Sequence, residues 1–149
     1  PKYIEGKFRY KLYLAGGVLG KVISSTDMIN YITQNATLLE KIGIFFPFLL
    51  AAILKTAQGS STVAITTTAG IVAPLLPVLG LGSPVRTVLA VMAIGAGAMT
   101  VSHANDSYFW VVTNFGAMTP EKGYKTQTVA TLILGISSMV EIFILSLFL

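Results

Sequence analysis

The chain has 149 residues, of which 54% are hydrophobic and only 11% charged, whereas soluble domains carry about a quarter of charged residues. Ten basic and six acidic side chains are too few to cover a soluble domain of this size, so the composition indicates a protein embedded in lipid. The absence of cysteine excludes disulfides, thiolate metal sites and thiol catalysis.

Residues 1–11 are basic and hold four of the ten lysines and arginines, namely Lys2, Lys7, Arg9 and Lys11. We interpret them as a juxtamembrane segment, and because no basic stripe with interleaved aromatics follows, we expect no nucleic-acid partner. The chain begins with Pro1 and shows no signal-peptide pattern before Leu12, so we expect the carboxy-terminal part of a longer protein. Residues 12–149 form the predicted transmembrane half-domain.

The first apolar stretch, residues 12–23, would cover about 18 Å as a helix, well short of a hydrocarbon core about 30 Å thick. It therefore predicts a half-span. The weakly amphipathic piece that starts at Asp27 and includes Leu39 is typical of a helix lying at the membrane interface.

Two short apolar arms, residues 42–54 and 63–81, flank a polar tip. This pattern predicts a re-entrant hairpin over about residues 42–81. The tip consists of Gln58, Gly59, Ser60, Ser61 and Thr62.

A second interruption lies in the predicted span over about residues 86–113. Residues 88–101 are mostly small, which favours burial inside a helix bundle. The apolar pattern stops at a polar cluster and resumes at Tyr108, so we expect one helix broken in its middle. The cluster contains Ser102, His103, Asn105, Asp106 and Ser107.

The last transmembrane helix is predicted over about residues 126–149, after an exposed connection at residues 114–125. It is the one proline-free stretch long enough to span alone. Glu141 is its sole charge from residue 128 onward, and we place that carboxylate near an interface because a buried one is costly.

Two polar breaks at membrane depth imply a shared polar cavity, because unpaired backbone groups cost several kcal/mol in lipid. The second half of a broken helix offers free amides and a partial positive charge, which attract anions. We therefore predict a substrate site for a small carboxylate, although each polar residue taken alone could be a simple helix cap. The predicted substrate-binding residues are Gln58, Gly59, Ser60, Ser61, Thr62, Ser102, His103, Asn105, Asp106 and Ser107.

His103 and Asp106 are the predicted proton-coupling residues, because both can titrate and they lie three residues apart. Asp106 could equally be a plain helix cap, and His103 a satisfied polar residue in the cavity wall. Lys55 could neutralise a bound carboxylate, but we favour the interpretation that it snorkels to water. No catalytic residue, metal or cofactor is predicted beyond the coupling proton, with sodium as an alternative.

Three runs carry a resemblance to a known family: LKTAQGSSTVA at residues 54–64, IGAGAMTVSHANDSYFW at residues 94–110, and AGGVLGKV at residues 15–22. They resemble the gluconate permease family of the wider ion-transporter superfamily. The resemblance implies proton-driven uptake of gluconate or a related sugar acid by a multi-pass protein of the bacterial inner membrane. It also implies an all-α fold, of which this chain is the second inverted repeat, with a re-entrant hairpin and a discontinuous helix.

Other interpretations of the function stay open. The substrate could be another small carboxylate or an amino acid, with sodium as the coupling ion, or the chain could be a non-transporting membrane subunit. An intramembrane enzyme is disfavoured, since the sequence has one histidine, no cysteine and no recognised catalytic motif. The expected partners are the carboxylate, the lipid bilayer, the missing amino-terminal half and, as an option, a second copy in a homodimer.

Overall fold

The computed structural model describes Val18, Val22 and residues 41–149. The predictions for residues 1–11 and for the interfacial helix after Asp27 lie outside these residues. Within the predicted half-span, only Val18 and Val22 are described, and both are helical and exposed.

The part of the chain that the structure describes is helical and contains no β-strand. A 3₁₀ turn at Ala73–Leu75 follows the second helix, and a π-helical turn at Tyr124–Thr128 joins the last two helices without interruption. The helices are α1 (Phe45–Gln58), α2 (Ser61–Val72), α3 (Pro84–Met99), α4 (Ser107–Phe115), α5 (Pro120–Gly123) and α6 (Val129–Phe148).

Helices α1 and α2 form a hairpin whose turn is only two residues long. Gly59 takes the left-handed conformation (φ 79°) and its N–H donates to the Lys55 carbonyl at 2.8 Å, which is a favourable way to end a helix. Ser60 is extended, and its hydroxyl accepts from the Val63 N–H to cap α2. The helical hairpin therefore turns at the polar tip that the sequence indicates.

The second arm of this hairpin ends earlier than its apolar pattern suggests. Regular α-helix stops at Val72, and the chain continues as the 3₁₀ turn and then as turns up to Gly80. Pro74 and Pro77 explain the difference, because proline lacks an amide donor and its ring clashes with the preceding turn of a helix. Leu79 and Leu81 are buried and hold this connection against the core.

A non-helical segment separates α3 from α4. Helix α3 ends at Met99, non-helical chain follows from Thr100, and α4 starts at Ser107. Val101 has a positive φ of 54°, a conformation that a β-branched residue rarely adopts. The break thus begins two residues before the polar cluster and ends within it.

Helix α3 packs closely on both of its main neighbours through small residues. A side chain at Gly97 would overlap the Phe48 carbonyl of α1, so the two backbones touch. At the other contact, a side chain at Gly135 of α6 would overlap the Thr100 hydroxyl. The small-residue face of α3 is therefore buried as expected, while Val88 and Val91 on the other face are exposed.

The last helical run extends over Pro120–Phe148, so it starts before the predicted boundary at about residue 126. Thr119 caps this run by accepting from the Lys122 N–H, and Pro120 occupies its first turn. The run has a mean hydropathy of 2.1 over an 18-residue window and is long enough to cross a membrane. Only 22% of that window is buried, so its apolar surface requires a cover of lipid or further protein.

Candidate functional site

The hairpin turn and the helix break are in contact. The Asn105 side-chain amide donates to the Thr56 carbonyl at 2.7 Å, and the His103 Nε2 lies 3.1 Å from the same oxygen. Because a carbonyl can only accept, this contact is a hydrogen bond when the His103 Nε2 carries a proton. Gly59 lies against the backbone of Asn105 so closely that a side chain there would overlap the Asn105 carbonyl. The two polar segments thus share one location.

A buried ion pair lies beneath this contact. The Lys55 Nζ is 2.6 Å from the Asp106 Oδ2 and also donates to the Gly59 carbonyl at 2.9 Å. Lys55 is 2% exposed and Asp106 is 5% exposed. The interpretation that Lys55 snorkels to water is therefore wrong. The reason is a tertiary one: the last turn of α1 packs on the break, where a carboxylate and a carbonyl offset the desolvation of the ammonium group.

Asp106 is held by three parts of the chain. Its Oδ2 accepts from the Ser102 hydroxyl at 2.7 Å and from Lys55, while its Oδ1 accepts from the Tyr108 N–H at 3.0 Å. Asp106 is therefore the cap of α4, the alternative considered from the sequence, and at the same time the partner of a buried cation. One carboxylate fixes α1, the break and α4 relative to each other.

Two threonines of the last helical run anchor the break. The Ser102 N–H donates to the Thr131 hydroxyl at 3.0 Å, and the Thr128 hydroxyl donates to the Ser102 carbonyl at 2.6 Å. Neither threonine was predicted from the sequence to contact the break. A signal was present in the spacing of Thr128, Thr131 and Gly135, which places hydroxyls and a glycine on one helix face.

The predicted substrate residues divide into a buried group and an accessible group. Gly59, Ser102 and Asp106 are buried, together with Lys55. The remaining residues surround them and present amide, imidazole and hydroxyl groups. Ser60, Ser61 and His103 are half-buried, and Gln58, Thr62, Asn105 and Ser107 are exposed.

A separate groove of about 380 Å³ lies between α3 and α6 and is lined by none of the predicted substrate residues. Its wall includes Met92, Met99, Leu134 and the exposed Glu141. The carboxylate of Glu141 is thus exposed to the lipid or protein that covers this apolar surface. Among residues 41–149, no three histidine, aspartate or glutamate side chains come together as metal ligands.

The apolar helices, one of them long enough to cross a membrane, and the polar breaks that meet at a buried ion pair are features of a membrane protein. The chain belongs to the GntP permease family, whose model matches residues 12–148. A gluconate permease of Pseudomonas aeruginosa is 37% identical over 136 residues, which are 89% of this chain and 29% of that protein.

Two further relatives come from Escherichia coli K12. The inner membrane permease YgbN is 37% identical over 121 residues, 81% of this chain and 26% of that protein. The D-serine transporter DsdX is 33% identical over 132 residues, 89% of this chain and 29% of that protein. The chain therefore spans less than a third of the length of these relatives, and no solved structure matches it.

Proposed function

We propose that this chain forms part of a secondary active transporter that imports gluconate or a related hydroxy-carboxylate by proton symport. The observation that carries the proposal is the contact between the hairpin turn and the helix break around a buried ion pair. Relatives named gluconate permeases support the substrate class. In this proposal the chain supplies the second inverted repeat, and the amino-terminal half of the transporter supplies a matching hairpin and break.

The substrate would bind where the hairpin turn meets the helix break, at the ion pair and the residues around it. Two helix starts, at Ser61 of α2 and Ser107 of α4, lie beside this contact and contribute a partial positive charge. Hydroxyl and amide side chains can pair with the hydroxyl groups of a sugar acid. The proposed substrate-binding set is Gln58, Gly59, Ser60, Ser61, Thr62, Ser102, His103, Asn105, Asp106 and Ser107.

Asp106 and His103 are the proposed proton carriers. Both lie at the break, and the protonation of either would change the charge beside a bound carboxylate. The His103 ring is held on the Thr56 carbonyl of α1, whereas Asp106 is paired directly with Lys55. We also propose that the hairpin enters and leaves the bilayer from one side, and that the full-length transporter is a multi-pass protein of the bacterial inner membrane.

The test is uptake of radiolabelled gluconate by the full-length transporter in proteoliposomes. An acidic exterior should drive accumulation above the external concentration, and a protonophore should abolish it. Accumulation that requires a sodium gradient instead would contradict the proton coupling. Uptake no faster than into protein-free liposomes under either gradient would contradict the assignment of gluconate.

A zwitterionic amino acid is the second candidate substrate. The observation that favours it is the ion pair itself, because Lys55 and Asp106 together complement a carboxylate and an ammonium group. The relatives named D-serine transporters agree with this chemistry. Saturable inhibition of gluconate uptake by unlabelled D-serine would support a shared site, whereas an unchanged rate at a large excess would remove this candidate.

A further inference from the structure

We infer that Lys55 is the residue that binds the substrate carboxylate. In the empty site Lys55 is paired with Asp106, and the substrate carboxylate displaces the Asp106 carboxylate from it. The inference deepens the proposed transport function and rests on it. It assigns a role to Lys55, which the set of predicted substrate residues did not include.

Few charged side chains lie between the start of the hairpin and the start of the last helical run. Between residues 42 and 120 the charged side chains are Lys55, Arg86 and Asp106, and Arg86 is exposed at the start of α3. Lys55 is thus the one buried cation in the part of the chain that the structure describes. A carboxylate that binds at the meeting point of the two breaks finds its countercharge in Lys55.

Asp106 is already paired with this cation. The Asp106 Oδ2 lies 2.6 Å from the Lys55 Nζ, so a second carboxylate cannot take the same position while the first remains there ionised. Like charges at such a separation repel, and one of the two groups must move away or be neutralised. The long lysine stem allows the ammonium group to turn from one carboxylate to another.

Asp106 loses its partner when Lys55 turns to the substrate carboxylate. An unpaired carboxylate in a buried site is strongly destabilising, and binding one proton removes that charge. The protonated group can then donate to the Ser102 hydroxyl, which already lies 2.7 Å away and can accept as well as donate. Substrate binding and proton binding therefore occur together.

The charges balance in both states. The empty site holds one ammonium and one carboxylate, and the loaded site holds the same ammonium, the substrate carboxylate and a neutral Asp106. One proton enters with each monocarboxylate, and the net charge of the site does not change.

The groups that face Asp106 are consistent with this assignment. Lys55 approaches from α1, Ser102 from the break and the Tyr108 N–H from α4. The nearest other titratable side chains along the chain are His103, whose ring is on the Thr56 carbonyl, and Tyr108, which is half exposed. Asp106 is therefore the group whose proton binding responds to the loss of Lys55.

The experiment measures gluconate binding to the full-length transporter in detergent, by titration calorimetry in two buffers with different ionisation enthalpies. The wild type should take up about one proton for each gluconate bound. Asp106→Asn should still bind gluconate, with proton uptake near zero. Lys55→Gln should lose at least about 30-fold in affinity, the range expected when one partner of a buried charge pair is removed.

The double variant Lys55→Gln with Asp106→Asn separates binding from folding. It removes both charges, so no unpaired charge stays buried, and its melting temperature should exceed that of Lys55→Gln. It should nevertheless fail to bind gluconate. Lys122→Gln, which removes an exposed cation on α5, should bind as the wild type does.

Two results would overturn the inference. Gluconate affinity restored in the double variant would mean that the ion pair serves only the fold. Proton uptake of about one in Asp106→Asn would assign the proton to another group. A wild-type protein that neither binds nor transports gluconate would contradict the proposed function itself. Failure of the proposed function is thus distinguished from failure of the inference about Lys55 and Asp106.

Discussion

Gly59 in the hairpin turn and Asn105 in the helix break are packed backbone to backbone, with no room for a side chain on residue 59. The contact joins segments that are far apart in the chain, and it lies above the Lys55 and Asp106 pair. The position of the hairpin relative to the broken helix therefore depends on a glycine.

Gly59→Ala should separate the hairpin turn from the break. The new methyl group would overlap the Asn105 carbonyl, and the residue would also be held at φ 79°, a conformation that costs an alanine about 1–2 kcal/mol. Gluconate uptake should fall at least tenfold and the melting temperature of the purified transporter should drop.

Gly80→Ala is the matched control, since Gly80 has φ 70° but no atom within 4 Å of the added methyl group. It carries the backbone strain without the clash and should lose stability while keeping most of its uptake. Equal losses of uptake in the two variants would show that the contact with Asn105 has no part in transport.

The two polar breaks were predictable because both are local signals. Serine, threonine, asparagine and aspartate interrupt an otherwise apolar chain, and such residues cap helices wherever they occur. The start of the last helical run was also predictable, since Thr119 and Pro120 form a capping sequence. A boundary placed by the apolar pattern alone does not include these two residues.

The ion pair was not predictable in the same way. A lysine near a helix end is usually solvated, and only the packing of α1 on the break removes Lys55 from water. The anchoring of Ser102 by Thr128 and Thr131 is likewise tertiary, because the spacing of the two threonines indicates a shared helix face but not the residue that this face contacts.

The packing of α3 on α1 can be tested at two glycines of the same helix. Gly97→Ala would place a methyl group into the Phe48 carbonyl, so the helices must move apart and the transporter should lose about 1–3 kcal/mol of stability. Gly95→Ala meets no atom within 4 Å and should be neutral or stabilise by up to about 1 kcal/mol. Thermal unfolding monitored by circular dichroism would compare them, and a loss at residue 95 equal to that at 97 would contradict this packing.

Thr131→Val should loosen the break without changing the shape of α6. The substitution removes the acceptor of the buried Ser102 N–H, and an unpaired buried amide costs about 1–3 kcal/mol. Hydrogen exchange at Ser102 should accelerate and the melting temperature should fall. Thr126→Val, at an exposed threonine whose hydroxyl donates to the Lys122 carbonyl and to the Met118 sulfur but not to the break, should change neither. Unchanged exchange at Ser102 in Thr131→Val would contradict the role of this anchor.

His103→Gln distinguishes the two proposed proton carriers. Glutamine keeps a donor that can reach the Thr56 carbonyl but cannot titrate. If Asp106 carries the proton, His103→Gln should accumulate gluconate under a proton gradient to within a fewfold of the wild type, whereas Asp106→Asn should not accumulate it. Loss of gradient-driven accumulation in His103→Gln, with exchange of internal for external gluconate preserved, would instead assign the proton to His103.

Asp106→Asn should weaken the binding of a zwitterion but not that of a sugar acid. Gluconate needs the Lys55 ammonium group alone, so its binding should persist once the competing carboxylate is gone. D-serine would place its ammonium group on Asp106, and the loss of that charge should weaken its binding at least about 30-fold. Competition between labelled gluconate and unlabelled D-serine would measure both affinities in one preparation, which also serves as the control for folding. An equal loss for the two ligands would contradict separate charge partners for the carboxylate and the amine.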